Sequence, residues 1–90
     1  MNNICIITNK RIDTAEKIAK LLEEISTNNI VRIIYLTGME GCLLGIEMAG
    51  YVMACQQLVV IRKYDGTISP VCEKLVDLAV ETDTHVYYFD

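Results

Sequence analysis

The stretch YLTGMEGCLLGIEMAGYVMACQQLVVI, residues 35–61, decides between three architectures for this chain. It is a long apolar run that contains four glycines and only two charged residues, Glu40 and Glu47. Such a run is typical of a membrane span, of a phosphate-binding loop that opens a helix, or of the buried centre of a small α/β domain. The segments on either side of it discriminate between these architectures.

Strand and helix patterns alternate along the rest of the chain. The strand patterns are short β-branched or aromatic runs, and the helix patterns are longer segments rich in Ala, Leu and Met. The predicted strands are residues 3–9, 30–36, 58–64 and 85–89. The predicted helices are residues 13–26, 41–55 and 70–82. In the first helix, the predicted apolar stripe is Ile18, Leu21, Leu22 and Ile25.

Two helix starts carry capping signals. Asp13, with Glu16 three residues later, matches a capping box for the first helix. Ser69 followed by Pro70 matches an N-cap with proline in the first helical position of the last helix. In the middle helix, the spacing of Gly41, Gly45 and Ala49 predicts a small-residue face packed on the sheet.

The order βαβαβαβ predicts one α/β domain over residues 1–90. We expect a three-layer fold with a four-stranded parallel sheet of order 2-1-3-4 and helices on both faces, as in flavodoxin-like or Rossmann-like proteins. Glu47, Gln56 and Gln57 leave the uninterrupted apolar part of residues 35–61 shorter than a bilayer requires. The sequence therefore favours the buried centre of an α/β domain over a membrane span.

The charge and the start of the chain bear on partners and location. The formal net charge is −4, which disfavours duplex nucleic acid and anionic membranes as partners. No basic, apolar leader precedes the first strand-like run, so we expect a cytoplasmic protein.

The four cysteines form no CxxC pair, and His85 is the only histidine. Because structural zinc sites need paired spacing and further ligands, we expect no metal and no other cofactor. Buried free thiols are the favoured interpretation. A thiol enzyme built on Cys5 or Cys42 is the weakest alternative.

Basic residues lie at the ends of the first and third predicted strands. The first strand ends in Thr8, Asn9, Lys10 and Arg11, and the third ends in Arg62, Lys63, Tyr64 and Asp65. Ligands of open parallel sheets bind beyond the carboxyl ends of the strands, where the strand order reverses. Four of the eight basic residues would converge there, as a small anion requires. The alternative is that polar loops simply begin at strand ends.

The loop after the second strand offers a further set of candidates. Gly38 and Gly41 could let backbone amides approach a phosphate, although their spacing matches neither the dinucleotide-binding nor the Walker loop. A strand-to-helix turn is the favoured interpretation of these glycines. Glu40 and Glu47 are the candidate catalytic or ribose-binding carboxylates. A solvent-facing or subunit-facing Glu47 is the alternative.

The segment MAGYVMACQQLVVI, residues 48–61, resembles the helix–strand step of the nucleoside 2-deoxyribosyltransferase family, and YLTGMEG, residues 35–41, resembles its strand–loop. The resemblance covers about a third of the chain. It implies a nucleotide-binding domain that transfers a deoxyribosyl group, or hydrolyses an N-glycosidic bond, through a nucleophilic glutamate. The matching position here is Met48, with Glu47 beside it, and Thr37 replaces the family's aspartate.

Two functions from different classes follow. The first is a domain that binds a nucleotide or another small phosphorylated ligand, with N-glycosidic chemistry as its catalytic form. The second is a non-enzymatic regulatory or accessory protein that acts through oligomerisation. We expect a homo-oligomer in either case, because four strands leave part of the middle helix exposed. The candidate contacts are Leu43, Leu44, Met48, Tyr51 and Met53.

Overall fold

The computed structural model describes residues 2–36 and 46–89, with Ile46 and Glu47 described by their backbone alone. Strands and helices alternate along this part of the chain. The strands are β1 (Asn2–Thr8), β2 (Asn29–Tyr35), β3 (Gln57–Ile61) and β4 (His85–Phe89). The helices are α1 (Ile12–Ile25), α2 (Ile46–Ala54) and α3 (Pro70–Glu81). The third strand ends three residues earlier than predicted, so Arg62, Lys63 and Tyr64 belong to the loop that follows it.

The four strands form an all-parallel sheet in the order β2-β1-β3-β4. This confirms the predicted α/β fold and strand order, which is the order of flavodoxin-like sheets. β1 lies at the centre, where Ile6 pairs with Ile33 of β2 on one side and with Val59 of β3 on the other. The carboxyl ends of β1 and β3 are therefore neighbours, and Thr8 pairs with Ile61.

Helices cover both faces of the sheet because successive strand residues point to opposite sides. On one face, Ile7 and Val60 pack with Val52 of α2 and Leu75 of α3 in the larger core. On the other face, the smaller core joins α1 to the sheet. Its buried members are Ile6, Ala15, Ala19 and Ile61. Burial of a side chain such as Leu75, which is 0% exposed, stabilises the fold by about 1.5–3 kcal/mol.

The start of α1 differs from the prediction. Arg11, not Asp13, occupies the N-cap position, and its side chain makes no capping hydrogen bond. The carbonyl of Arg11 accepts the first helical hydrogen bond from the amide of Ala15, at 3.0 Å. The chain turns into α1 directly after β1, so the sheet sets the start of the helix and places Asp13 in its first turn. A carboxylate there still interacts favourably with the helix dipole.

The buried stripe of α1 is also rotated from the predicted one. Ala15 and Ala19 are buried, with Ile18 and Leu22 packed beside them. Leu21 and Ile25 are exposed, at 57% and 68%. The alanines form an i, i+4 pair on the face that meets the sheet, and Leu21 projects about 100° away from its neighbour Leu22.

The start of α3 confirms the prediction. Ser69 is the N-cap, and its hydroxyl accepts a hydrogen bond from the amide of Cys72, at 3.3 Å. Pro70 follows in the first turn, where its missing N–H is not needed.

The described part of α2 packs through medium-sized side chains. Val52 is buried, and Met48 and Tyr51 pack against the same core. Gly50 is exposed and has open space around it. Of the predicted small-residue face, Ala49 is only half-buried, and Gly41 and Gly45 lie outside the described residues. Across residues 2–36 and 46–89, no helix combines the length and apolar content that a membrane crossing needs.

Candidate functional site

Basic side chains meet at the carboxyl edge of the sheet, next to the paired ends of β1 and β3. We call this group the basic rim. It consists of Lys10, Arg11, Arg62 and Lys63. A hollow of about 470 Å³ lies between Arg11, Lys63 and Tyr64, and a second one, of about 250 Å³, joins Lys10 to Lys63. The structure thus brings residues from two separate strand exits around a shared depression.

The side chain of Arg11, which follows β1, contacts the loop that follows β3. Its Nη1 donates a hydrogen bond to the carbonyl of Arg62, at 3.3 Å. Its guanidinium lies 5.0 Å from the centre of the Tyr64 ring, a cation–π distance. Its Nε is buried and has no hydrogen-bond partner among the described residues. Since a buried donor without a partner is costly, this atom favours an acceptor at the rim.

Tyr64 is the residue of this edge that the sequence analysis missed. Its side chain is 84% exposed and borders the hollows that Lys10, Arg11 and Lys63 also line. An exposed aromatic ring among cations offers a flat surface on which a base can stack. The available signal was an aromatic residue between Lys63 and Asp65 at the end of the predicted third strand.

The turn after β3 is held by a local network. Asp65 Oδ1 accepts hydrogen bonds from the amide of Thr67, at 3.0 Å, and from its hydroxyl, at 2.6 Å. The amide of Lys63 donates to the carbonyl of Thr67, at 2.9 Å, and Gly66 adopts a positive φ of 82° that favours glycine. The hydrogen bonds from Thr67 lower the pKa of Asp65. The rim therefore also carries carboxylates: Asp65 lies beside Lys63, and Asp13 lines the hollow beside Lys10 and Arg11.

Arg62 points toward β4. Its amide donates to the carbonyl of Phe89, at 2.9 Å, and its guanidinium lies 4.6 Å from the centre of the Tyr88 ring. It therefore places its charge at the β4 side of the rim, while Lys10 and Arg11 occupy the α1 side.

Thr8 and Asn9 lie beneath the rim. Both are buried, at 1% and 2% exposure. The Thr8 hydroxyl accepts a hydrogen bond from the amide of Arg11, at 3.2 Å, and so supports the turn that presents Arg11. Neither residue lines the described hollows, so both predicted ligand contacts would act by shaping the loop.

The predicted carboxylates and loop glycines fall between β2 and Met48 in the sequence. Glu40, Gly38 and Gly41 lie outside the described residues, as does the side chain of Glu47. The backbone of Glu47 belongs to α2, which is described from Ile46 onward. Among the residues that the structure describes, no three His, Cys, Asp or Glu side chains form a group that could hold a metal ion.

Comparison of the chain with known protein families, with curated proteins and with solved structures found no match.

Proposed function

We propose that the basic rim binds a small phosphorylated ligand, and that a nucleotide is the class it fits best. The observation that carries this proposal is the meeting of Lys10 and Arg11 with Lys63 across the β1–β3 boundary. These cations converge on a chain whose formal net charge is −4. A local cluster of cations against an acidic background attracts phosphate oxygens.

The arrangement supplies both parts of a nucleotide site. Lys10, Lys63 and Arg11 provide charged donors for the phosphates, and the first amides of α1 add donors at the same edge. Tyr64 provides the stacking surface for the base. The place in the fold is also where open parallel sheets bind ligands, because the strand order reverses between β1 and β3.

A thermal-shift panel tests the binding proposal. The compounds are ADP, AMP, ribose 5-phosphate and inorganic phosphate, each at low ionic strength, where a charged site binds most strongly. The nucleotides should raise the melting temperature, because a ligand that binds only the folded state stabilises it. A chain that responds to none of the compounds would overturn the proposal.

A pair of variants with equal charge change locates the effect. Lys10→Ala with Lys63→Ala removes two cations of the rim, whereas Lys20→Ala with Lys74→Ala removes two exposed lysines of α1 and α3. Loss of two charge-assisted hydrogen bonds should weaken nucleotide binding by about tenfold or more, with the control near the wild-type value. Equal losses of nucleotide affinity in both double variants would mean that binding depends on the net charge of the chain and not on the rim.

The resemblance to the nucleoside 2-deoxyribosyltransferase family adds a chemical form to the proposal. In that form the domain transfers a deoxyribosyl group or hydrolyses an N-glycosidic bond, with Glu47 or Glu40 as the nucleophile. Glu47 is the glutamate of α2 beside the matching position of the resemblance, Met48. Release of free base from deoxynucleotides should be abolished in Glu47→Gln if Glu47 is the nucleophile. Activity that survives in Glu47→Gln and is lost in Glu40→Gln would assign the role to Glu40.

Self-association is a second candidate function, supported by the exposed aromatic residues of β4. Tyr87, Tyr88 and Phe89 are 52%, 47% and 44% exposed on a strand at the edge of the sheet. Tyr87 and Phe89 pair with Val59 and Ile61, so they share the α1 face of the sheet. An edge strand with exposed apolar residues is a template for pairing with another chain.

We propose that the partner of β4 is a second copy of the chain in antiparallel register. That pairing would bring Glu81 and Asp83, before β4, toward Arg62 at the far end of the partner's sheet, so the charges are complementary. Of the contacts predicted for α2, Met48 and Tyr51 pack against the chain's own core, and Met53 is exposed and available to a partner. Leu43 and Leu44 lie outside the described residues. Light scattering should show a dimer that Tyr87→Lys converts to a monomer. A wild-type monomer at high concentration, or a dimer that Tyr87→Lys leaves intact, would refute the pairing.

A further inference from the structure

Two cysteines that are far apart in sequence meet on the face of the sheet that α2 covers. Cys5 lies in the middle of β1, and Cys55 directly follows α2. Their thiols contact the carbonyls of two consecutive residues of α2, Tyr51 and Val52. The amide of Gln56 donates to the carbonyl of Asn3, at 2.8 Å, which fixes the end of α2 against β1. The backbone therefore holds the two thiols together.

The surroundings orient the two thiols. The Cys5 thiol can donate to the carbonyl of Tyr51, at 3.4 Å, and the Cys55 thiol to that of Val52, at 3.1 Å. Both acceptors belong to the last turns of α2. Cys72 is also buried on this face, on α3. It serves as a control cysteine, because neither contact described above involves it.

A hollow gives small molecules access to the pair. It has a volume of about 170 Å³, and Cys5 and Cys55 both line it, together with Arg32 and Tyr51. The Arg32 guanidinium stacks 3.9 Å from the centre of the Tyr51 ring. Although the cysteines are only 3% and 6% exposed, a reactant of the size of water can approach them through this hollow.

The two thiols differ in acidity because each affects the pKa of the other. The hydrogen bond from Cys5 lowers the pKa of Cys55 to about 7, whereas the same contact, with burial, raises the pKa of Cys5. Burial raises the pKa of Cys72 to about 12. Because the thiolate is the nucleophile, Cys55 is the thiol of the pair that attacks and Cys5 is the one that retains its proton.

We propose that Cys5 and Cys55 are a redox-active pair that a hydroperoxide oxidises to an intramolecular disulfide. The Cys55 thiolate attacks one peroxide oxygen, breaks the O–O bond and becomes a sulfenic acid, while the departing oxygen takes up a proton and leaves as water. The Cys5 sulfur then attacks the Cys55 sulfur, and the sulfenic hydroxyl leaves with the Cys5 proton as a second water. Two thiols and one hydrogen peroxide thus give one disulfide and two waters, and the sulfurs lose the two electrons that reduce the peroxide.

Mass spectrometry of the full chain tests the proposal. Cys42 and Cys55 fall in one tryptic peptide, residues 33–62, so the experiment uses the Cys42→Ser background. One equivalent of hydrogen peroxide should lower the intact mass by about 2 Da and join peptide 33–62 to peptide 1–10, and dithiothreitol should reverse both changes. Oxidation in the folded chain should be at least about tenfold faster than in guanidinium, because the fold holds the thiols together.

Three variants assign the roles of the thiols. Cys72→Ser should leave the reaction unchanged. Cys5→Ser should stop it at a Cys55 sulfenic acid that dimedone traps, and Cys55→Ser should leave Cys5 unoxidised. The proposal is overturned if peroxide leaves both thiols open to alkylation after denaturation, or if the folded and denatured chains oxidise at the same rate. Alkylation and the comparison of oxidation rates are measured on the Cys42→Ser chain. They therefore do not depend on whether Cys5→Ser or Cys55→Ser folds.

Discussion

Arg11 is the residue that connects the two halves of the rim. It follows β1, yet its guanidinium contacts the carbonyl of Arg62 and the ring of Tyr64, both in the loop after β3. These contacts hold the two loops at a fixed separation, which is the condition for a preformed anion site.

Substitution of Tyr64 tests whether the rim recognises a base as well as a phosphate. We expect Tyr64→Ala to weaken ADP binding by about tenfold or more, because base–aromatic stacking contributes about 1–3 kcal/mol. Ribose 5-phosphate, which has no base, should bind to Tyr64→Ala as it does to wild type, and Tyr64→Phe should retain ADP affinity. Calorimetric titration measures both ligands. Equal losses for ADP and ribose 5-phosphate would show that Tyr64 supports the loop instead of stacking.

Cys55 should titrate near neutral pH. Its pKa is lowered from an ordinary value of 9.0 to about 7 by the hydrogen bond from Cys5, with the charge of Arg32 on β2 near the pair. Thiolate absorbance at 240 nm should therefore show one midpoint near pH 7 that is missing in Cys55→Ser. A first thiolate that appears only near pH 9 would contradict this assignment.

The pKa of Cys55 also determines whether the free energy of unfolding rises or falls with pH. Between about pH 7 and pH 9 the unfolded chain retains the Cys55 proton that the folded chain has released, so this group adds stability as the pH rises. Above pH 9 the raised pKa values of Cys5 and Cys72 act in the opposite direction, because only the unfolded chain then loses their protons.

Residue-level reasoning from the sequence identified part of the candidate site. The cations at the strand exits are visible as a local charge pattern, so Lys10 and Lys63 could be predicted. Burial of Thr8 and Asn9 could not be predicted, since it depends on how the chain turns after β1. The contact between Cys5 and Cys55 depends on the end of α2 docking on β1, which no local pattern shows.

At the scale of elements, the two helix starts show when local capping rules apply. α3 begins after an exposed turn and a loop, and its start follows the local Ser-Pro signal. α1 begins at the edge of the sheet, and its start follows the tight connection from β1 in place of the polar pattern at Asp13.

Two substitutions compare these starts. Ser69→Ala should destabilise the chain by about 1–2 kcal/mol, because it removes the acceptor for the amide of Cys72 at a position that is 1% exposed. Asp13→Ala should cost at most about 0.5–1 kcal/mol, since it removes only a favourable charge from the first turn of α1. Urea denaturation gives both values. A larger cost for Asp13→Ala would contradict the assigned caps.

The alternation of elements determines how much of the architecture is predictable. Each strand run is short and apolar, and each helix separates two strands, so a parallel sheet with helices on both faces follows. The exact face of α1 was not predictable from hydrophobicity alone, since Ala15 and Ala19 form the buried stripe where larger residues were expected.

At the scale of the whole molecule, the proposed binding site depends on the strand order. The order β2-β1-β3-β4 makes the ends of β1 and β3 neighbours and so collects half of the basic residues at one edge of an acidic chain. The thiol pair lies elsewhere, on the face that α2 covers, and is bordered by Arg32 and Tyr51. Binding at the rim and oxidation of the thiols can therefore be measured separately.

The most direct test of the rim is a backbone amide NMR titration with ADP. The largest shift changes should fall in two sequence segments that only the β1–β3 pairing brings together, residues 10–12 and 62–66. Saturating changes in both segments with one common dissociation constant are the expected result. Changes confined to one segment, changes centred elsewhere in the chain, or none at millimolar ADP would contradict the account.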